Sequence, residues 1–327
     1  MRIATLPPSP KPLSRIVLGT DRLGAMFPWS ATAETMRFLD ASLDLGCTAI
    51  DTAAVYMFGG SERLIGEWIS SRKPRDRIFL ITKGAAPGLP FNTSRFDVHA
   101  IETDLHASLR RLCTDYVDLY LLHRDDPSRP FEDVLALLAR FQREGKCTAY
   151  GVSNWTLPRI QAAMRFLEAE GLPPLAASSP HFSLVDWNTF FIPGCISIAG
   201  SAGEAVRSFH EKTKLPVLAW SPLGRGFFGR RASQSTRPPW HNPWQLWLHH
   251  TYASKANIAR RRRAHEIAQA RGVTAAQVAL AFLLSQPFPV FPIVGTHSID
   301  NMRRNLESCE ILLTPSECRY LESGRTE

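Results

Sequence analysis

No two of the six cysteines stand at C-x-x-C spacing: Cys47, Cys113, Cys147, Cys195, Cys309 and Cys318 are scattered over 327 residues. That pattern supports neither a zinc site nor a disulfide framework in a chain of this length, so the cysteines read as reduced thiols. No apolar run approaches the ~20 residues needed to span a bilayer, and no membrane segment is expected. The stretch Met1–Ser14 is rich in proline and lacks the apolar core of an export signal. It reads as an irregular strap, and the expected location is cytoplasmic. The sequons at Asn92 and Asn154 carry no weight without secretion. What the chain does have, 44% hydrophobic and 21% charged residues, is the composition of a globular enzyme. Its length suits one barrel domain with loop insertions.

A formal net charge of +8, sharpest in the run Arg260 to Arg263, raises the question of nucleic acid. The run lies in a segment, Asn257 to Gln269, whose Ile258, Ala264, Ile267 and Ala268 are spaced for a helix that stops at Gly272. Four consecutive arginines must fan around such a helix and cannot form one stripe. No nucleic-acid partner is therefore expected. A basic surface also steers an anionic cofactor.

Short apolar runs alternate with helical periodicity along the chain, which implies a parallel sheet. Strands are expected at Ile16–Thr20, Cys47–Asp51, Ile78–Lys83, Val117–Leu122, Thr148–Ser153, near Leu175–Ser179, at Val217–Ser221 and at Val290–Gly295. Helices are expected from about Ala33 to Leu45, from Ser61, and over Asp97–Leu112, Phe131–Glu144, Pro158–Glu170 and Gly203–Lys212. Another starts at Ser298. The sequence Thr314-Pro315-Ser316-Glu317, a capping box with proline at the first helical position, announces one extra C-terminal helix.

Asp51, Lys83 and His123 close three of these strands, and Tyr56 follows Asp51 closely. Singly, each has a plain structural reading: Lys83 as a surface lysine, His123 as a hydrogen-bonded core histidine, Asp51 as a helix N-cap. Together they face one way, because ligands of parallel α/β folds bind beyond the carboxyl ends of the strands. A tyrosine with an unperturbed pKa of ~10 is a poor proton source unless something stabilises the phenolate it leaves. A lysine ammonium does so, and a carboxylate keeps that ammonium charged in a partly dry pocket. His123 is left to orient the reacting oxygen.

These residues belong to a set of segments that resembles the aldo-keto reductase family along nearly the whole chain: Leu18-Gly19-Thr20, Asp51-Thr52-Ala53 with Tyr56, Gly60-Ser61-Glu62, Thr82-Lys83, Leu121-Leu122-His123, Gly151-Val152-Ser153-Asn154 and Trp220-Ser221-Pro222-Leu223-Gly224. The resemblance implies a (β/α)8 TIM barrel with extended loops that reduces an aldehyde or ketone with a nicotinamide cofactor. Tyr56 would be the acid, Lys83 and Asp51 its tuning pair, and His123 the residue that orients the carbonyl. Cofactor contacts are implied at Gly19, Thr20 and Asp51, at Ser153, Asn154 and Ser179 around the carboxamide, and at Trp220 stacked on the nicotinamide. Ser221, Leu223 and Arg225 would meet the pyrophosphate. Gly295, Thr296, Ser298, Asn301, Arg304 and Asn305 would form the adenosine-phosphate site opening the last barrel helix.

The chain also departs from the family. Ser179 stands where glutamine is usual, Phe182 where tyrosine is common, Asn301 where many NADPH users carry arginine, and Arg304 where they carry glutamate. The reading favours NADP(H) over NAD(H), with Arg304, three positions after Asn301, supplying the cation for a 2′-phosphate. A solvated surface arginine is the competing view.

One literal G-x-G-x-x-G, Gly224 to Gly229, follows a strand. A dinucleotide fingerprint opens a helix and has an acidic residue ~20 positions on, whereas here no Asp or Glu occurs before Glu266. The Rossmann reading is rejected. Substrate choice falls to loops: Met26-Phe27-Pro28-Trp29, Met57-Phe58, and Phe227 to Tyr252 with Trp240, Trp244 and Trp247. The last is either a lid or packing against the rim. Arg124, Asp125 and Asp126 either touch substrate or cap their loop. The expected partner is a small carbonyl compound, and the oligomeric state is not read from the sequence. Two other classes stay in view: a cofactor-binding redox sensor with vestigial activity, and a metal-dependent hydrolase, for which Asp51 and His123 offer too few ligands.

Overall fold

The N-terminal segment is an antiparallel hairpin, β1 (Ile3–Leu6) and β2 (Ser9–Ser14), and not the irregular strap expected from its prolines. Leu6 and Leu13 are fully buried against Val17, Ala49 and Phe79 at the base of the barrel. Burying two leucines favours the ordered ribbon, and proline's missing N–H is harmless on an edge strand. The structure, a computed structural model, describes residues 2–23, 33–88, 93–189, 193–229 and 243–325. Met26-Phe27-Pro28-Trp29, Asn92 and Trp240 lie outside the described residues, as does the side chain of Trp244.

Eight parallel strands form a closed barrel: β3 (Val17–Gly19), β4 (Ala49–Asp51), β5 (Phe79–Gly84), β6 (Val117–Leu122), β7 (Cys147–Ser153), β8 (Ser178–Ser179), β9 (Val217–Trp220) and β10 (Val290–Val294). Their spatial order, β10-β3-β4-β5-β6-β7-β8-β9, follows the chain around the ring. This is the (β/α)8 barrel that the alternation implied. Phe79, Ile81, Leu119, Leu121, Leu218 and Phe291 fill its interior, while Ile50, Leu80, Leu122 and Val152 face the helices. Since side chains alternate along a strand, the positions in phase with the interior set at the carboxyl ends are Gly19, Asp51, Lys83, His123, Ser153, Ser179, Trp220 and Gly295. Strand parity thus gathers the site. Gly151 belongs to the same interior row, and a Cβ there would lie 2.3 Å from the Ala177 carbonyl.

Helices α1 (Ala33–Asp44), α2 (Gly60–Arg72), α3 (Val98–Leu112), α4 (Glu132–Arg143), α5 (Leu157–Ala169) and α6 (Glu204–Thr213) follow the strands. Between β9 and β10 lie α7 (Pro243–Tyr252), α8 (Lys255–Arg271) and α9 (Ala275–Leu284), of which only α8 was expected. α10 (Ile299–Glu307) precedes α11 (Pro315–Ser323), whose Thr314–Glu317 capping box is formed. No single helix among the described residues is long and apolar enough to cross a membrane.

Ser61 does not cap α2 as its position suggested. The cap is Gly59, at φ 82°, and the Ser61 hydroxyl instead lies 2.7 and 2.6 Å from the carbonyls of Thr20 and Leu23. The basic run on α8 does fan out. Arg260 pairs with Asp186 at 2.8 Å, Arg262 points to solvent beside Glu266, and Arg263 is buried on the Leu321 carbonyl.

Candidate active site

Lys83, at the end of β5, is the hub. Its ammonium lies 2.6 Å from Asp51 Oδ1 and donates to Asp51 Oδ2 at 2.7 Å, to the Thr52 carbonyl at 3.0 Å and to the Tyr56 hydroxyl at 3.1 Å. Asp51 and Lys83 are 1% and 3% exposed, so the pair sits in a medium where charges interact strongly. Tyr56 is not on a strand. It opens a one-turn 3₁₀ segment, Tyr56–Gly59, in which Met57 and Phe58 hold positive φ (50° and 54°). Two adjacent side-chain-bearing residues in the left-handed region carry local strain, which in folded proteins clusters at functional sites. The turn aims the phenol back at Lys83.

The imidazole of His123 meets the Tyr56 ring edge to face, with centroids 5.7 Å apart. Its Nδ1 is buried without a hydrogen-bond partner among the described residues. Burial first, then the charges of Lys83 and Arg124, push its pKa well below the ordinary value, so the ring is neutral at pH 7. A neutral imidazole has one N–H to offer an oxygen.

Burial also raises the carboxyl of Asp51, with Lys83 opposing it. Burial works against the Lys83 ammonium, yet its partners, Asp51 first and then Tyr56, more than offset it and hold its pKa above normal. Burial outweighs the pull of Lys83 on Tyr56, whose pKa is raised. The phenol is therefore kept protonated, ready as an acid, and the ammonium beside it waits for the charge it would leave. The ammonium does favour the phenolate, as the sequence suggested, but burial outweighs it.

A second hub is Asn154, which follows β7 with φ 60°. Its amide nitrogen donates to Ser153 Oγ at 2.9 Å and to the His123 carbonyl at 3.3 Å, while its oxygen accepts from Trp220 Nε1 and the Ile196 amide, both at 3.2 Å. Ser153 donates to the Ser179 carbonyl and Ser179 to the Leu218 carbonyl. Every donor of this row is engaged inside the protein, so its hydroxyls present acceptor lone pairs to the cleft. Trp220 is packed from behind by His181, at 5.0 Å between centroids, which stacks in turn on Trp187 at 4.5 Å.

One cleft of about 1170 Å³ runs from Tyr56, Lys83 and His123 past Trp220, Ser221 and Leu223 to Arg225, then to Gly295, Thr296, Asn301, Arg304 and Asn305. Gly19, Asp51, Ser153, Asn154 and Ser179 line it as well. Two expected contacts do not. Thr20 is fully buried with its hydroxyl on the Asp51 carbonyl, and Ser298 caps α10 through the Asn301 amide. The amides of Gly224 and Gly226 close their own turn, onto the carbonyls of Ser221 and Leu223. Asp21, Cys195, His265 and Gln269 also line the cleft and were missed. Asp21 directly follows the Leu18-Gly19-Thr20 motif and was within reach of the reading; the others carry no local signal.

A parallel barrel whose carboxyl-terminal mouth holds a protonated phenol on a buried ammonium defines a TIM-barrel oxidoreductase. The comparisons agree: the model described as "Aldo/keto reductase family" matches residues 15–325. The chain belongs to the aldo/keto reductase family. It is 26% identical over 301 residues to norsolorinic acid reductase of Aspergillus flavus, an alignment covering 89% of this chain and 71% of that protein. It is 28% identical over 306 residues to an aryl-alcohol dehydrogenase [NADP(+)] of Phanerodontia chrysosporium, covering 88% and 74%. An aldo/keto reductase of Klebsiella pneumoniae solved with NADP and acetate superposes with a TM-score of 0.70 at 25% identity, covering 96% of this chain and 92% of that one. The activity of this chain is carbonyl reduction.

Proposed function

We propose that this single-domain enzyme reduces a small aldehyde or ketone with NADP(H), through Tyr56, Lys83, Asp51 and His123. The observation that carries the reading is the 3.1 Å contact between the Tyr56 hydroxyl and the Lys83 ammonium, in a pair closed by Asp51. When bound, the nicotinamide supplies a hydride to the carbonyl carbon. Tyr56 gives its proton to the carbonyl oxygen, and Lys83 stabilises the phenolate that remains. Asp51 keeps Lys83 charged. His123, neutral, donates to the carbonyl oxygen and fixes its direction.

The residues fit the cofactor. Ser153 and Ser179 offer acceptor lone pairs, which suit the –NH2 end of a carboxamide, and Trp220 offers a rigid plane held by His181. Arg225 and Arg304 provide cations farther along the cleft. Arg304 supports the preference for NADP(H), since it makes no ion pair among the described residues while its neighbour Arg303 pairs with Asp300 at 2.9 Å. The test is to mix the protein with NADPH or NADH and a panel of aromatic and aliphatic aldehydes and follow cofactor absorbance. Faster oxidation of NADPH is expected; no oxidation of either cofactor would refute the reading.

A further inference from the structure

Three charged residues follow His123 at the barrel mouth, and the structure separates their fates. Asp125 is tied to Arg159, whose Nε lies 3.1 Å from the carboxylate, and Asp126 is held by Arg129 and by the hydroxyl of Ser128. Those two cap their loop. Arg124 instead lines the cleft shared by Tyr56 and His123, half-buried, with one hydrogen bond among the described residues, from Nη1 to the carbonyl of His123 at 3.1 Å. It makes no ion pair among them. The segments outside the described residues contain no Asp or Glu except Glu327.

Of the other charges of the cleft, Arg22 sits beside Asp21 after β3. Asp51 is committed to Lys83. Asp21 follows β3 and lies near Gly295, 3.5 Å from where a Cβ would stand, while β3 and β6 are separated in the ring by β4 and β5. Arg225 and Arg304 follow β9 and β10, along the arc given above to the cofactor. Arg124 is thus a half-buried cation in the cleft shared by Tyr56 and His123, following β6 and not β9 or β10. Its field is felt by His123 and, together with that of Arg225, by Cys195. A guanidinium in such a place presents a planar fork of N–H donors that matches a carboxylate.

We propose that Arg124 binds a carboxylate carried by the substrate, so that the preferred substrates are oxo acids. The proposal rests on the reductase reading and names its substrate class. The carbonyl carbon gains a hydride from the reduced cofactor and the oxygen gains the Tyr56 proton. The product is a hydroxy acid whose carboxylate is unchanged.

Straight-chain ω-oxo acids of increasing length, each against the methyl-terminated aldehyde of equal length, test this without presuming a distance. The best acid should exceed its neutral partner about tenfold or more in kcat/KM, mainly through KM. In Arg124→Met that preference should vanish. Arg124→Lys, which keeps the charge and loses the fork, should retain part of it. A merely structural role for Arg124, acting through His123, would lower both members of each pair equally and overturn the proposal. Calorimetric titration with the matching ω-hydroxy acid and the neutral alcohol, in the presence of NADPH, reads the same preference without turnover. Tighter binding of the acid, lost in Arg124→Met, upholds the carboxylate site even if turnover fails, in which case the reductase reading falls. Equal binding of acid and alcohol overturns the site whatever the turnover.

Discussion

The Lys83 ammonium straddles the Asp51 carboxylate, 2.6 Å from one oxygen and 2.7 Å from the other, with both side chains almost fully withdrawn from solvent. Such a pair is weak evidence for stability, because desolvating two ions cancels much of their attraction, but breaking it is costly. Asp51→Asn keeps the shape and leaves a buried ammonium without its counter-charge. About 3–5 kcal/mol of stability should be lost. Lys83→Met strands the carboxylate in the same way, and the double variant should lose clearly less than the sum of the two. Urea unfolding of the four proteins measures this; additive losses would mean that the pair is not coupled.

Tyr56→Phe removes one hydroxyl and leaves the ring in its packing against His123. General acid catalysis contributes ~10²–10⁴-fold, so kcat for aldehyde reduction should fall by that order. Cofactor affinity, read from quenching of tryptophan fluorescence, should hardly move. Turnover close to that of the parent enzyme would show that the proton comes from elsewhere.

Much of the fold was legible because strands and helices alternate with strong periodicity, and the site was legible because parity along each strand is a property of sequence. Asp51, Lys83 and His123 could be assigned to the interior by counting in twos from Ala49, Phe79 and Leu119. Elements without that periodicity were harder. α9, with the sequence Ala-Ala-Gln-Val-Ala-Leu-Ala-Phe-Leu-Leu, is apolar on every face because it is buried between its neighbours, so no amphipathic stripe marks it. Its Thr274–Gln277 capping box was the available signal. Prolines hid the hairpin at the start. The sign of the Tyr56 shift was not legible at all, since it depends on how deeply the folded chain buries the phenol.

His123, His181 and His210 are all pushed below the ordinary histidine pKa, chiefly by burial, His181 to about 3. The unfolded chain takes up protons on these rings near pH 6.5, while the native chain refuses them until lower pH. Stability that is complete above pH ~6.5 is therefore lost as pH falls, at up to ~1.4 kcal/mol per pH unit for each ring. Asp51, whose carboxyl is raised, works in the opposite sense at lower pH. Comparing His181→Phe with the parent between pH 6.5 and 5 isolates one ring: the variant's stability should fall less steeply by about one proton's worth. Identical slopes would mean that His181 takes up its proton alike in the native and the unfolded chain.

Arg304 and Asn301 stand one helical turn apart on α10, and both face the cleft. Arg303, on the same helix, is neutralised by Asp300, whereas Arg304 has no acidic partner among the described residues. A 2′-phosphate would meet that guanidinium through charge-assisted hydrogen bonds, which are about twice as strong as neutral ones. Arg304→Ala should therefore lower the ratio of kcat/KM for NADPH over NADH by about tenfold, mostly through the KM for NADPH. Because the site is exposed, raising the salt concentration should shrink the preference in the parent and leave that of the variant nearly flat. A ratio that survives the substitution would make Arg304 a solvated surface residue and move the choice of cofactor to another part of the cleft.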